Sequence, residues 1–448
     1  MSKIKDFTQG KISKQLVIFA APLFLSNLMQ VVYNMVDMLV VGNVMGKVGI
    51  SAVSVGGDLC NLLTFIAIGF SNAGQVLVAK YIGAGEREKL GRFVGTLTSF
   101  LMFSALGISV ISILFQDALL KLMNTPDAAY SSAAEYSFIC MIGLVFIYGY
   151  NMVSAVLRGM GDSRHPFIFV TLAACTNLVL DLIFVMGLGM GAAGAALATV
   201  MSQALSFIIS AVFLIKNREA FELKANVRDF IIPDKKMLSS LVKLGIPMAI
   251  KMASVQISKL FVNSFINSYG VEVSAFSGIA NKISSISNLI SAAMNTSGST
   301  MVGQNIAARK YDRVKGILKS LSVITLSVST FMTVVFFFFD TEIIGFFADG
   351  DAAVTEVGAY FMPIAALLFY ASALRAIMNA LLNGSGNYKV NFATAIFDGI
   401  IMRIGLALLF GIVLDMKYYG FWLGDAIAGF TPFVIGIVFY ATGRWKKP

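Results

Sequence analysis

Two aspartates, Asp37 and Asp181, stand inside stretches so apolar that each charge calls for a chemical purpose. Asp37 lies in Tyr33-Asn34-Met35-Val36-Asp37-Met38-Leu39-Val40 and Asp181 in Thr176-Asn177-Leu178-Val179-Leu180-Asp181-Leu182, neither with a basic residue as a near sequence neighbour. Each follows a polar residue by four positions, Tyr33 and Asn177, so acid and partner share a helical face. Burial disfavours the charged form of an unpaired carboxylate, and a second acid nearby disfavours it further for one of the two, which makes such a pair a proton switch. The same oxygens, joined by the Asn177 amide and the Thr199 hydroxyl, form a set of hard ligands for Na⁺. The residue types serve both chemistries. The plainer alternative is a satisfied buried pair that only specifies packing, and it weighs less because acids at membrane depth are costly to keep.

The elements that must hold these acids follow from composition. Of 448 residues, 57% are hydrophobic and only 13% charged, with a mean hydropathy of +0.81, which identifies a polytopic membrane protein and leaves no room for a soluble catalytic domain. The net charge of +10 would suggest nucleic acid in a soluble chain, but here the basic residues fall in alternate loops. Lys3, Lys5, Lys11 and Lys14 precede the first span, Arg87, Lys89 and Arg92 follow the second, and Arg444, Lys446 and Lys447 close the chain. The intervening loops collect acids such as Asp340, Glu342, Asp349 and Asp351. Both termini are therefore expected to be cytoplasmic, with no nucleic-acid partner. Cys60, Cys140 and Cys175 all lie in apolar runs and read as small core hydrophobes. His165, the single histidine, stands beside Arg164 in a loop and is a poor candidate for proton transfer at membrane depth.

The chain also repeats itself at an offset of about 225 positions. Ala155-Val156-Leu157-Arg158-Gly159-Met160-Gly161 returns as Ala380-Leu381-Leu382-Asn383-Gly384-Ser385-Gly386, and Pro22 returns as Pro247. Apolar runs give twelve spans, six in each half, so the fold class is an all-α polytopic membrane protein of two six-helix lobes related by a parallel internal repeat. The expected organisation is a tail over about 1–14, an N-lobe over 15–215, a charged linker over 216–238, a C-lobe over 239–443 and a tail over 444–448. A duplicated apolar chain of this kind is the mark of a secondary transporter whose halves rock around a fixed site.

The repeat separates the halves by charge. Positions equivalent to Asp37 and Asp181 are Val262 and Leu406, while the second half carries Lys251, Lys259, Lys282, Arg375 and Arg403 inside its spans, with Asp398 as its one deep acid. Ion coupling is thus assigned to the first lobe; Arg403 pairing with Asp398 is the bland account of one of the second-lobe charges. Lys251 and Arg403, with Tyr33 and Asn34, are candidates for a gate or substrate cavity. Pro22 and Pro247 each remove a helix hydrogen bond and can bend the first span of their half. No nucleophile constellation, metal cluster or repeated pore loop is visible, which argues against a membrane enzyme and against a channel.

The combination of twelve spans, the doubled Leu157-Arg158-Gly159-Met160-Gly161-Asp162 turn, Tyr33-Asn34-x-x-Asp37 and Asn177-x-x-x-Asp181 resembles the multidrug and toxic compound extrusion (MATE) family, in its bacterial DinF-like and MepA-like branch. That resemblance covers nearly the whole chain. It implies a cation-coupling site at Asp37, Tyr136, Asn177, Asp181 and Thr199, and a V-shaped cavity. It also implies export of bulky, lipophilic, often cationic small molecules in exchange for H⁺ or Na⁺. No cofactor or resident metal is implied beyond the coupling ion, and the expected setting is a monomer in the bacterial cytoplasmic membrane. The NorM-like branch places acids on the seventh and tenth spans, where this chain has Val255, Gln256 and Arg375. The rival transporter reading is a flippase for lipid-linked or polar precursors, which extra spans or a strongly cationic central cavity would favour.

Overall fold

The structure, a computed structural model, describes residues 2–224, 226–348 and 351–446; Asp349 and Lys447, counted above among the loop charges, lie outside them. Among the described residues there is no strand. The first half comprises α1 (Ile12–Gly83), α2 (Leu90–Leu114), a short α3 (Gln116–Leu122), α4 (Asp127–Gly159), α5 (Arg164–Asp181) with a π-helical turn at Leu182–Gly187, and α6 (Gly191–Lys216). The second comprises α7 (Lys235–Asn267), α8 (Val271–Ala307), α9 (Tyr311–Phe347), a short α10 (Ala352–Gly358) and α11 (Met362–Ser385). It ends with α12 (Tyr388–Ile396), α13 (Arg403–Leu408), α14 (Lys417–Ala428) and α15 (Thr431–Ala441).

Ten helical stretches among the described residues are long and apolar enough to cross a membrane. One of them, α1, runs for 72 residues and holds the first two spans, divided where Gly46 takes φ 61° and ψ −148°. The eighth span, α8, has 37 residues but is too polar to be among the ten, because Ser297, Thr300, Gln304 and Asn305 are buried in protein and not presented to lipid. Counted this way the helices give the twelve-helix, two-lobe architecture. The eleventh span is α12 to α13 interrupted by π-helical turns at Phe397–Met402 and Leu409–Val413, and the twelfth is α14 and α15 parted near Gly429 and Pro432. The ninth extends beyond its expected limits of about 320 to 339, since α9 bends at Phe339 (φ −129°, ψ 25°) and carries Asp340 and Glu342 in its last turns. Outer faces are apolar; Phe331 and Phe338 of α9 are 69% and 68% exposed, as lipid-facing side chains would be.

The two compact units do not divide at the linker. Phe7–Ala20 belongs with Ile250–Pro448, and Met1–Asp6 belongs with Ala21–Ala249. In the second unit the backbone carbonyl of Phe7 accepts from Asn305 Nδ2 (3.1 Å) and Arg313 Nη2 (3.0 Å), and Leu16 and Phe19 pack in one apolar cluster with Met301 and Val302. In the first unit Arg87 pairs with Glu222 at 2.8 Å and Arg92 with Asp234 at 2.9 Å, fastening the linker to the loop and helix that follow α1. Asp234 also caps α7, its Oδ1 accepting from the N–H groups of Lys236 (2.9 Å) and Met237 (3.0 Å). The Met237 N–H, more than any other group, holds its carboxyl below the usual range. So the segment leading into each half's first helix is held by the other half at the junction between its second and third spans. Pro22 and Pro247 stand within two or three residues of where α1 and α7 pass from one unit to the other.

The sequence repeat is a structural repeat. Gly161 N–H donates to Arg158 O (3.0 Å) and Gly386 N–H to Asn383 O (2.9 Å), each glycine at positive φ, 85° and 67°. Two residues earlier, a Cβ on Gly159 would stand 2.7 Å from the Gln75 carbonyl oxygen, and one on Gly384 2.8 Å from that of Ser299. One expectation of the sequence fails here: Cys60 and Cys140 are buried but Cys175 is exposed, because an apolar run in a membrane protein can face lipid as readily as core. Gly159→Ala and Gly384→Ala should each lose about 1–3 kcal/mol to overpacking against backbone. Gly405→Ala, with nothing within 4 Å of its Cβ, should stay within about 0.5 kcal/mol. Melting of the three purified variants tests this, and equal melting temperatures would contradict the close approach.

Candidate functional site

Asp37 projects from the first span of α1 and is 6% exposed; Asp181, the last residue of α5, is fully buried where that helix widens into its π-helical turn. Such turns shift side chains off the regular helical register and recur at functional positions. The two carboxyl groups stand next to one another, each acting on the other. Neither oxygen of Asp181, nor Oδ1 of Asp37, has a hydrogen-bond partner, and no salt bridge among the described residues reaches either acid. This is a costly arrangement when both are ionised, since an unpaired buried charge loses its hydration for nothing.

One turn before Asp181, Asn177 is buried and its Nδ2 donates to Thr199 Oγ1 of α6 at 3.5 Å. Gly191, Gly194, Ala195, Ala196 and Ala198 keep that part of α6 slim and are themselves buried, which is the packing role their sizes suggest. Tyr136 of α4, 5% exposed, lies close enough to Asp37 and Tyr33 to interact with both. A cavity of about 370 Å³ opens beside these groups, lined by Tyr33, Asn34, Asp37, Tyr136 and Thr199. Asn177 and Asp181 do not line it; Asp181 acts on Asp37 and Asn177 bonds to Thr199, and Asp37 and Thr199 do line it. Pro22 is not in its lining either, and lies in α1 near the point where that helix changes unit.

The cavity has polar lining that the sequence reading missed, Gln30, Asn61, Asn151 and Gln203, and a further acid, Asp58. Their spacing carried the signal. Gln30, Asn34 and Asp37 recur at helical period, as do Asp58 with Asn61 and Thr199 with Gln203, each a polar stripe on an otherwise apolar helix. The wall so formed can hold a small cation at its acids and offer aromatic faces and amides to an organic ligand.

The second unit gathers its charges differently. Arg403, 1% exposed, donates from Nη2 to Asp398 Oδ1 (3.2 Å) and from Nη1 to Asp425 Oδ1. Asp398 is therefore not the single deep acid of this half. Asp425, next to Gly424 in α14, lies near the expected edge of the twelfth span; it is half-buried and paired with Arg403. Lys251 donates to Asn379 Oδ1 at 2.5 Å, while Arg375 Nη2 donates to Asn288 Oδ1 at 3.1 Å. Lys282 lies over the Phe347 ring, 5.9 Å from its centroid.

The MatE family model matches residues 22–183 and again 247–409, two stretches whose starts are 225 positions apart and which together exceed half the chain. The chain belongs to the MATE family. Its repeat is thus the family's own unit written twice, and the chain is a multi-pass membrane transporter of that family. The MATE relatives include the "Probable multidrug resistance protein YpnP" of Bacillus subtilis, 27% identical over 99% of this chain and 98% of the relative. The "Multidrug export protein MepA" of Staphylococcus aureus is 20% identical over 88% and 87%. Among solved structures, an outward-facing multidrug resistance MATE transporter of the MOP superfamily shares the fold with a TM-score of 0.91 and 21% identity, covering 100% of this chain and 99% of its own.

The triad of Arg403, Asp398 and Asp425 makes a sharp stability prediction for this MATE chain. Arg403→Ala strands two carboxylates and should cost about 3–5 kcal/mol, whereas Lys282→Ala, which removes a ring contact, should cost less than about 1 kcal/mol. Thermal melting of both in the same lipid would contradict the assignment if the order were reversed.

Proposed function

We propose that this chain is a secondary active antiporter that exports lipophilic, often cationic small molecules in exchange for inward H⁺. In this reading Asp37 and Asp181 hold the proton. The carrying observation is the adjacent acid pair with unpartnered buried oxygens beside a cavity of about 370 Å³. One proton shared between the carboxyl groups relieves their repulsion, and departure of that proton creates a negative wall for a cationic substrate. Of the two, only Asp37 lines the cavity, so it meets the substrate, and Asp181 acts through it. Tyr33 and Tyr136 offer ring faces to a lipophilic cation, and Asn34 an amide.

Coupling then follows from linkage. If the proton and the substrate disfavour one another at this wall, each must weaken the other's affinity by the same factor. Alternation of access by the two lobes turns that competition into exchange, with Pro22 the position at which the first span can bend. The second reading, Na⁺ as coupling ion, draws on the nearby Asn177 and Thr199 oxygens, which with the two carboxylates make a hard donor set. The relatives named for multidrug resistance and export support a broad small-molecule substrate range. The alternation of basic loops supports cytoplasmic termini in a bacterial cytoplasmic membrane.

Efflux of a fluorescent lipophilic cation from proteoliposomes, driven separately by a pH gradient and by a Na⁺ gradient, tests the proposal. The pH gradient should drive transport in the parent, and Asp37→Asn and Asp181→Asn should each slow it by about tenfold or more, about 1.4 kcal/mol. Transport driven by the Na⁺ gradient alone would select the second reading, and undiminished transport in both folded variants would refute the acid pair as coupling site.

A further inference from the structure

The interior of the second unit has more positive charge and more donors than it can satisfy. Four basic side chains, Lys251, Lys259, Arg375 and Arg403, are set among two acids, Asp398 and Asp425, and both acids are engaged by Arg403 alone. Lys251 and Arg375 bond to the amide oxygens of Asn379 and Asn288, which accept hydrogen bonds but cancel no charge. Among the described residues Lys259 has no carboxylate within ion-pair distance.

A second observation points the same way. Arg403 Nε and Trp422 Nε1, both N–H donors on side chains that are 1% and 6% exposed, have no acceptor. Lys259, Arg375, Arg403 and Trp422 line one cavity of about 50 Å³, with the amides of Asn263 and Asn281. Were both lysines neutral, the charges would balance but the two orphaned donors would remain, and arginine does not lose its proton. A buried donor without an acceptor is costly, as is a half-buried cation without an anion, and one small anion answers both. The volume is far below the several hundred Å³ of a drug-sized pocket and suits a single ion or the head of one acid.

We infer that the second unit binds a small monovalent anion in this cavity, either a halide ion or the carboxylate of an organic molecule. Lys259 and Arg375 supply the charge, and Trp422 and Arg403 supply hydrogen bonds. The site lies wholly within the second unit and does not depend on the coupling role of Asp37 and Asp181. It gives the opposite charges of the two halves complementary ligands, a cation in the first and an anion in the second.

The test uses the full chain in lipid nanodiscs at constant ionic strength, balanced with a bulky sulfonate buffer anion, and titrates sodium chloride and sodium acetate while melting temperature and heat of binding are followed. The parent should show saturable stabilisation. Lys259→Gln and Arg375→Gln should weaken the apparent affinity at least tenfold, and Cys175→Ala, on an exposed face of α5, should leave it unchanged. Trp422→Phe, which removes one donor and keeps most of the ring, should weaken it several-fold and serves if a charge variant fails to fold. Saturation by chloride that acetate does not displace assigns a halide, and displacement by acetate assigns a carboxylate. The absence of a saturable response in the parent, or equal affinity in the folded variants, would overturn the site.

Discussion

A charge that leaves water for the interior of a membrane protein must find a compensating partner, and whatever partner it lacks within the chain it takes from outside. In the first unit Asp37 and Asp181 stand together with unpartnered oxygens and no basic side chain in ion-pair reach. In the second, Arg403 joins two acids and still leaves Lys259 and Arg375 without carboxylates. Side chains within the chain leave both interiors unbalanced.

The same frame carries both interiors. The turns ending at Gly161 and Gly386 share the glycine N–H bond to the carbonyl three residues back, the π-helical turn at Leu182–Gly187 has its counterpart at Leu409–Val413, and the leading segment of each half is held by the other half. Close backbone approaches at Gly159 and Gly384 belong to this frame and leave little freedom there. Side-chain charge is free to diverge on it: Asp37 and Asp181 occupy positions where the second half has Val262 and Leu406. Duplication supplies the scaffold, and substitution at a few inward positions supplies the chemistry.

Much of this could be read in the residues, for identifiable reasons. Acids within apolar runs are conspicuous because lipid tolerates them so poorly, and Gly-x-Gly turns at a fixed offset survive because few other residues adopt positive φ. Asp425 escaped notice because it sits near an expected span edge, where a carboxylate needs no partner; only the three-dimensional reach of Arg403 reveals its pairing. Cys175 misled because hydropathy does not distinguish a lipid face from a core. The polar stripe from Gln30 to Asp37 was present at helical spacing, but the convergence of α1, α4 and α6 on one cavity depends on packing between helices far apart in sequence.

The central claim is that the acid pair of the first unit holds a proton which substrate displaces. The most direct measurement is proton release on addition of a lipophilic cation to the purified protein in weakly buffered nanodiscs, with no gradient present. The account predicts release approaching one proton per bound cation in the parent and none in the Asp37→Asn, Asp181→Asn double variant. Binding without proton release in the parent, or equal release in the double variant, would contradict it.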